Sequence, residues 1–277
     1  MFCGNCTYFG MTVFRYITPV LFVLIWMCSP LGARGEGSRV LMEESFDEDS
    51  GGAFAGRLLG HPKIQMAEGE GVDGSNAIRV AYVGYERGSE RVVVRYPMEE
   101  GVEEASLSFD VKFGEDFQWT MGGKLHGLGP AAPVTGGRNR KPEGWSARMM
   151  FMRGGRCSTY LYDQDRTKKW GVGDRTEEPV FTRGKWHRVR LRVRLNEAGR
   201  ANGWARVFVD GREVVRTDGV EFRGIEGKET LIREVLFSTF HGGNTMRWTP
   251  VDSDGNPVTV YAWFDNFVVE AEGTSDR

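Results

Sequence analysis

The residues of this chain best suited to chemistry lie in one short stretch and one neighbouring loop. Trp145 to Asp165 reads WSARMMFMRGGRCSTYLYDQD, two extended runs either side of Gly154 and Gly155. Side chains two apart on a strand share a face. Ser146 and Arg148 therefore point one way with Met150 and Met152, and Trp145, Ala147, Met149 and Phe151 point the other. Past the turn, Tyr160 and Tyr162 also share a face. Lys124 sits upstream in MGGKLHGLG, where paired glycines let the backbone approach something closely. Taken singly, each of these residues has an ordinary explanation as sheet surface. Taken together, they are the groups a β-elimination at a uronate needs. Removing the C5 proton requires a cation that neutralises the adjacent carboxylate, so that the developing enolate is tolerable. Arginine does this with fork geometry, and a hydroxyl can assist. A base must take the proton and an acid must protonate the departing O4. Tyrosine, with an ordinary pKa of about 10, is a good acid and a poor base unless a cation lowers it.

Other chemistries fit less well. Glycoside hydrolysis normally needs two carboxylates held ~5 Å or ~6.5–9.5 Å apart. The dense acids Glu43, Glu44, Asp47, Glu48 and Asp49 instead read as a solvated edge. Ser146 lacks the G-x-S-x-G elbow of a serine hydrolase. His61, His126, His187 and His241 are far apart and lack metal-ligand spacing. His187, in GKWHRV, reads as a strand start. His126 and His241 each stand beside glycines in loop-like sequence, where they can edge a cleft. No catalytic metal or cofactor is called for. A structural calcium held by the N-terminal acids and Asp265 is compatible with an all-β domain, although no EF-hand spacing supports it.

These residues must be positioned by a chain of 277 residues whose start differs from the rest. Tyr16 to Cys28 (YITPVLFVLIWMC) is an apolar run preceded by Arg15 and followed by the small-residue exit Leu31-Gly32-Ala33. It is shorter than the ~20 residues of a spanning helix and reads as a secretory signal over residues 1–33, with an uncleaved anchor as the alternative. The expected location is secreted or envelope-associated, and residues 34–277 are expected to form a single domain. Cys3, Cys6 and Cys28 fall in the leader, which leaves only Cys157 beyond it and no internal disulfide there. Stability must then come from a core. With 36 basic and 38 acidic residues and a formal charge of −2, nothing suggests a nucleic-acid partner, and no protein partner is implied.

From Arg39 onward the sequence alternates in short segments broken by Gly, Asp and Asn. Ala105 to Phe113 places Leu107, Phe109, Val111 and Phe113 on one face. Trp186 to Leu195 does the same with Val189, Leu191, Val193 and Leu195, leaving Arg188, Arg190, Arg192 and Arg194 as a row on cleft or outer surface. Trp204 to Val215 reads as a hairpin turned at Asp210-Gly211. About a dozen such strands with no helices between them predict an all-β, two-sheet antiparallel β-sandwich, a concanavalin-like β-jelly roll. Gly127 to Gly144 is expected to be a long loop over one sheet.

Several segments, in order from roughly Ala105 to Glu270, carry a resemblance: GGKLHGL (Gly122 to Leu128), WSARMMF (Trp145 to Phe151), TYLYDQD (Thr159 to Asp165), GKWHRVRLRVRLN (Gly184 to Asn196), FSTFHGG (Phe237 to Gly243) and WFDNFVV (Trp263 to Val269). In these the chain resembles polysaccharide lyase family fourteen, alginate and glucuronan lyases with a β-jelly-roll fold. The resemblance implies a secreted lyase cleaving an acidic polysaccharide by β-elimination without a required metal. It carries the family's functional lysine, S-A-R pair and Y-x-Y pair onto Lys124, Ser146, Arg148, Tyr160 and Tyr162. The family's GGKLPG-like proline is His126 here, and the following loop adds Arg138, Arg140 and Lys141. His126, Arg138, Gln164, His241, Arg247 and Trp248 are the substrate-binding candidates. A non-catalytic carbohydrate-binding β-sandwich is the alternative.

Overall fold

The computed structural model describes residues 38–47, 52–165 and 167–272; the secretory-leader expectation for residues 1–33 lies outside them. In chain order the elements are β1 (Arg39–Glu44), α1 (Ala53–Leu59), β2 (Ile64–Ala67), β3 (Ala77–Tyr85), β4 (Gly88–Ser89), β5 (Val92–Val102), β6 (Glu104–Phe113), β7 (Gly122–Gly129), β8 (Ser146–Met152), β9 (Arg156–Tyr162), β10 (Trp186–Arg194), β11 (Gly203–Val209), β12 (Arg212–Val220), β13 (Ile232–His241) and β14 (Thr259–Ala271). One sheet of nine strands runs β12-β11-β10-β6-β14-β3-β2, with β1 beside β14 and β4 beside β3. The other, of five, runs β5-β13-β7-β8-β9. Every pairing between these strands is antiparallel. The fold is therefore the two-sheet antiparallel sandwich of jelly-roll type that the alternation predicted.

Alternation along each strand builds the core between the sheets. Leu107, Phe109, Val111 and Phe113 of β6 share one core cluster with Ala147, Met149 and Phe151 of β8 and with Trp145 just before it, all fully buried. Each of the large apolar side chains among these contributes about 1.5–3 kcal/mol by leaving water. The hairpin β11–β12 turns where expected, with Asp210 and Gly211 both at positive φ (50° and 79°), the backbone a tight primed turn requires. His187 braces that turn: its Nε2 accepts from Thr182 N at 2.9 Å and its Nδ1 faces Asp210 Oδ2 at 2.8 Å.

Two expectations change. Helix α1 was not foreseen, because its seven residues are too few to display a helical period; it buries Phe54, Ala55 and Leu58. The arginine row of β10 lies on the nine-stranded sheet and faces outward from the core. Its members are closed by acids of neighbouring strands and the C-terminal segment: Arg188 by Asp110, Arg190 by Glu272, and Arg192 and Arg194 by Glu104. It is outer surface, not cleft.

Both glycine-flanked histidines are core residues. His126 is fully buried, stacked on Phe237 at 4.1 Å and edge-on to Phe109 and Phe264. His241 packs among Tyr82, Phe117 and Phe151. Burial pushes His126 well below the usual histidine range and His241 down to about 4. The unfolded chain binds these protons near pH 6.5 and the folded chain does not, so stability is held above that pH and lost as pH falls toward the folded value. For His241 alone the loss is on the order of 3 kcal/mol. Thermal unfolding followed across pH should show Tm already falling between about pH 6.5 and 5, above the usual carboxylate range. A flat Tm over that interval would contradict neutral burial.

Candidate active site

Antiparallel register assembles the chemistry that parity only paired. Arg148 sits opposite Tyr160 on β9 and opposite Gly127 on β7; Ser146 sits opposite Tyr162; Lys124 sits opposite Met150. Directly opposed residues share a face. Lys124, Arg148, Tyr160 and Tyr162 therefore converge from three adjacent strands on the face of the five-stranded sheet turned away from the core. The Lys124 Nζ lies 3.4 Å from the centroid of the Tyr160 ring. The Arg148 Cζ is 5.4 Å from the Tyr160 centroid and 5.9 Å from that of Tyr162, and the two rings meet edge to face at 5.7 Å.

Glycine is required beneath this cluster. A Cβ on Gly127 would lie 2.0 Å from Ala147 O and 2.7 Å from Arg148 Cγ. The bare backbone of β7 is what lets the Arg148 stem lie across it. At Gly171, a Cβ would lie 2.9 Å from the Tyr160 ring.

The electrostatics are unusual for a protein surface. Arg148 is buried (6 % exposed), its Nε has no hydrogen-bond partner, and no carboxylate lies within 4.0 Å among the described residues. A buried cation without an anion is costly. Burial lowers its pKa, against the pull of the two tyrosines. Burial, and then the Arg148 charge, hold the Lys124 ammonium well below the usual lysine range. Tyr160 is pushed up to about 12, first by burial and then by the Tyr162 hydroxyl beside it. The site thus combines a fixed cation, an amine biased toward its neutral form and a phenol that holds its proton.

The long loop between β7 and β8 closes one end. Gly137 N donates to Tyr162 Oη at 2.9 Å, and the Arg140 guanidinium lies 4.3 Å from the Tyr162 centroid while donating to Trp170 O. Tyr162 is consequently fully buried. Ser146 departs from expectation in the same way. It is fully buried and its Oγ donates to Val134 O at 2.8 Å, so it fastens the loop.

Among the substrate-binding candidates the structure separates positions sharply. His126 and His241 are in the core and not on the face that carries the four clustered side chains. The Gln164 amide donates to the carbonyls of Phe222 (2.7 Å), Lys141 (3.1 Å) and Gly144 (3.5 Å), so it ties loops together. Trp248 is half-buried with its indole against Gly243, where a Cβ would come within 2.0 Å of Trp248 Cγ. Arg138 and Arg247 are exposed and make no hydrogen bond, ion pair or ring contact with the four clustered side chains; Arg247 reaches Met121 Sδ at 4.0 Å. Asp265 is engaged by Val72 N, Ser75 Oγ and Asn266 N, which makes it a loop anchor. Met150 was missed: its Sδ accepts from Lys124 Nζ at 3.2 Å. Its place on the Arg148 face was the available signal, masked by a run of methionines.

The chain is similar in fold to several solved lyases. It superposes on the marine PL-14 alginate lyase from Aplysia kurodai with a TM-score of 0.65, 22% identity, and 84% of this chain and 100% of that one covered. For the alginate lyase Aly36B the values are 0.59, 24%, 71% and 80%. For the endo-beta-1,4-glucuronan lyase from the fungus Trichoderma reesei they are 0.53, 15%, 76% and 87%. No curated protein sequence matches the chain. The family model for polysaccharide lyase 14 matches residues 85–267, a span that contains all four clustered side chains and well over half of the sequence. The chain belongs to polysaccharide lyase family 14, and it is a polysaccharide lyase.

Proposed function

We propose that this lyase cleaves a uronate-containing glycan of the alginate or glucuronan type by β-elimination, on the outer face of the five-stranded sheet. The observation that carries the reading is Arg148: a buried guanidinium lacking an anion, beside an amine biased to neutrality and a phenol that keeps its proton. A uronate carboxylate supplies the missing anion in a bidentate, charge-assisted contact, and its charge is neutralised as the C5–H bond weakens. Neutral Lys124 takes the C5 proton, the C4–O4 bond breaks as the C4–C5 double bond forms, and Tyr160 donates its proton to O4. Proton transfer from the Lys124 ammonium back to the Tyr160 phenolate restores the starting state. Ser146 and the Gly137–Arg140 loop hold Tyr162 and the end of the site in place.

The class of substrate is also that of the similar structures, where Aly36B variants are described in complex with alginate trisaccharide and tetrasaccharide. The apolar run Tyr16 to Cys28 behind Arg15 supports export to where such polymers occur. Incubation with polymannuronate, polyguluronate, glucuronan and glycosaminoglycans should yield, on at least one polymer, the ultraviolet absorbance of a 4,5-unsaturated uronate in step with new reducing ends. Reducing ends without that absorbance would mean hydrolysis and would overturn the elimination.

A further inference from the structure

On the outer face of the nine-stranded sheet, five residues stand in a single cross-strand row. Gln65 pairs with Arg79, Arg79 with Trp263, Trp263 with Lys112, and Lys112 with Trp186. The row crosses β2, β3, β14, β6 and β10, and opposed residues share a face. Their chain neighbours Ile64, Ile78, Val80, Ala262, Phe264, Val111 and Phe113 are buried in the core, so the row points outward. Gln65 is exposed and the other four are half-buried. The Lys112 Nζ lies 4.9 Å from the Trp186 centroid and 5.1 Å from that of Trp263. The Arg79 guanidinium stands 5.2 Å from the Tyr261 ring, itself 6.5 Å from Trp263.

The cations in this row differ from those around them. Arg188, Arg190, Arg192, Arg194 and Arg206 on the same face are each closed by a carboxylate. Arg79 donates instead to Gln65 Oε1 and Lys112 to the Glu70 carbonyl, and neither has a carboxylate within 4.0 Å among the described residues. The nearby Glu70 carboxylate accepts from Trp263 Nε1 at 2.8 Å. Indoles thus alternate with unmatched cations at the strand spacing of about 4.8 Å, which sets the two indoles roughly 10 Å apart. A pyranose offers a C–H face that packs on an aromatic ring, and a uronate adds a carboxylate for a cation at its edge. A chain of uronates presents both at each repeat.

We propose that this row is a second, non-catalytic binding face for an acidic glycan, which holds the polymer on the sheet opposite the one that cleaves it. The choice of a uronate polymer as occupant rests on the reading of the Arg148 site. The test is affinity electrophoresis of the full chain carrying Lys124→Ala, so that the polymer survives, in gels cast with polymannuronate, polyguluronate or glucuronan. Adding Trp186→Ala and Trp263→Ala should weaken retardation about fivefold or more. Arg79→Gln with Lys112→Gln, which removes little packing, should do the same and decides the matter where the tryptophan variant unfolds. In the active enzyme these changes should leave kcat/KM on a tetrasaccharide unchanged while slowing attack on dilute long polymer. Undiminished retardation of a folded Arg79→Gln, Lys112→Gln variant would overturn the proposal, as would equal retardation of the parent by neutral hydroxyethylcellulose. Row-dependent retardation without any unsaturated product from the active enzyme would fail the elimination and leave this face standing.

Discussion

Arg148→Ala should lower kcat/KM on the preferred polyuronate by about 10³-fold, or ~4 kcal/mol of transition-state stabilisation, while Tm stays level or rises. The two halves of this expectation have one cause. In the free enzyme the Arg148 charge is buried without an anion and is flanked by the Lys124 amine, so folding gains little from it. Removing such a charge is often neutral or stabilising. In the proposed elimination the same charge meets a uronate carboxylate whose negative charge grows in the transition state, in a site that screens it poorly. Arg148→Lys keeps a cation but loses the fork, and should recover only part of the activity. A structural role for Arg148 predicts the reverse pattern: a Tm lowered by several degrees, with normal turnover by the fraction that remains folded.

How much of this was legible beforehand depends on which physical signal each residue left. Parity along β8 and β9 placed Arg148 with Ser146 and Tyr160 with Tyr162, because a strand face is a local property. The inter-strand register that brings Lys124 onto Tyr160 is set by long-range pairing, and only the glycines hinted at it. Glycine also misled the reading of His126, beside Gly127, and of His241, beside Gly242 and Gly243. Gly123 and Gly127 read as loop, yet they lie within β7, where a Cβ would strike Phe151 and Phe240 O in the first case and Ala147 O in the second. Close packing, not mobility, demanded glycine, so the adjacent histidine was core. Ser146 stood on the correct face but under the returning loop, whose path no local pattern encodes. For the arginines of β10 the alternation gave the correct face of the strand, and the strand's sheet then decided that the face was remote from the site. Gln164 shows the same limit: its three carbonyl partners come from segments 20 to 58 residues away.

Lys124→Arg separates a base from a counter-charge, and activity should fall by about 10³-fold, within the range that a positioned proton-transfer group contributes. If Lys124 served only to neutralise the carboxylate, arginine would retain most of the rate. The prediction follows from the direction in which the site drives the amine. Burial and the Arg148 charge both favour the neutral form, so Lys124, the proposed base, becomes available at a pH well below that of an exposed lysine. The acid must stay protonated over the same range, and burial holds Tyr160 up at about 12. The wild-type rate should therefore rise through a limb set by Lys124, below its ordinary 10.5, and stay high into alkaline pH until Tyr160 ionises. Because the two groups are in contact, the limbs report the pair and not isolated residues. Lys124→Arg should abolish the lower limb together with the activity, and Tyr160→Phe should remove the upper limb from whatever rate remains. A Lys124→Arg enzyme with near-normal kcat would move the base elsewhere, and Tyr162, now beneath the Gly137–Arg140 loop, would be the group that the loop must uncover.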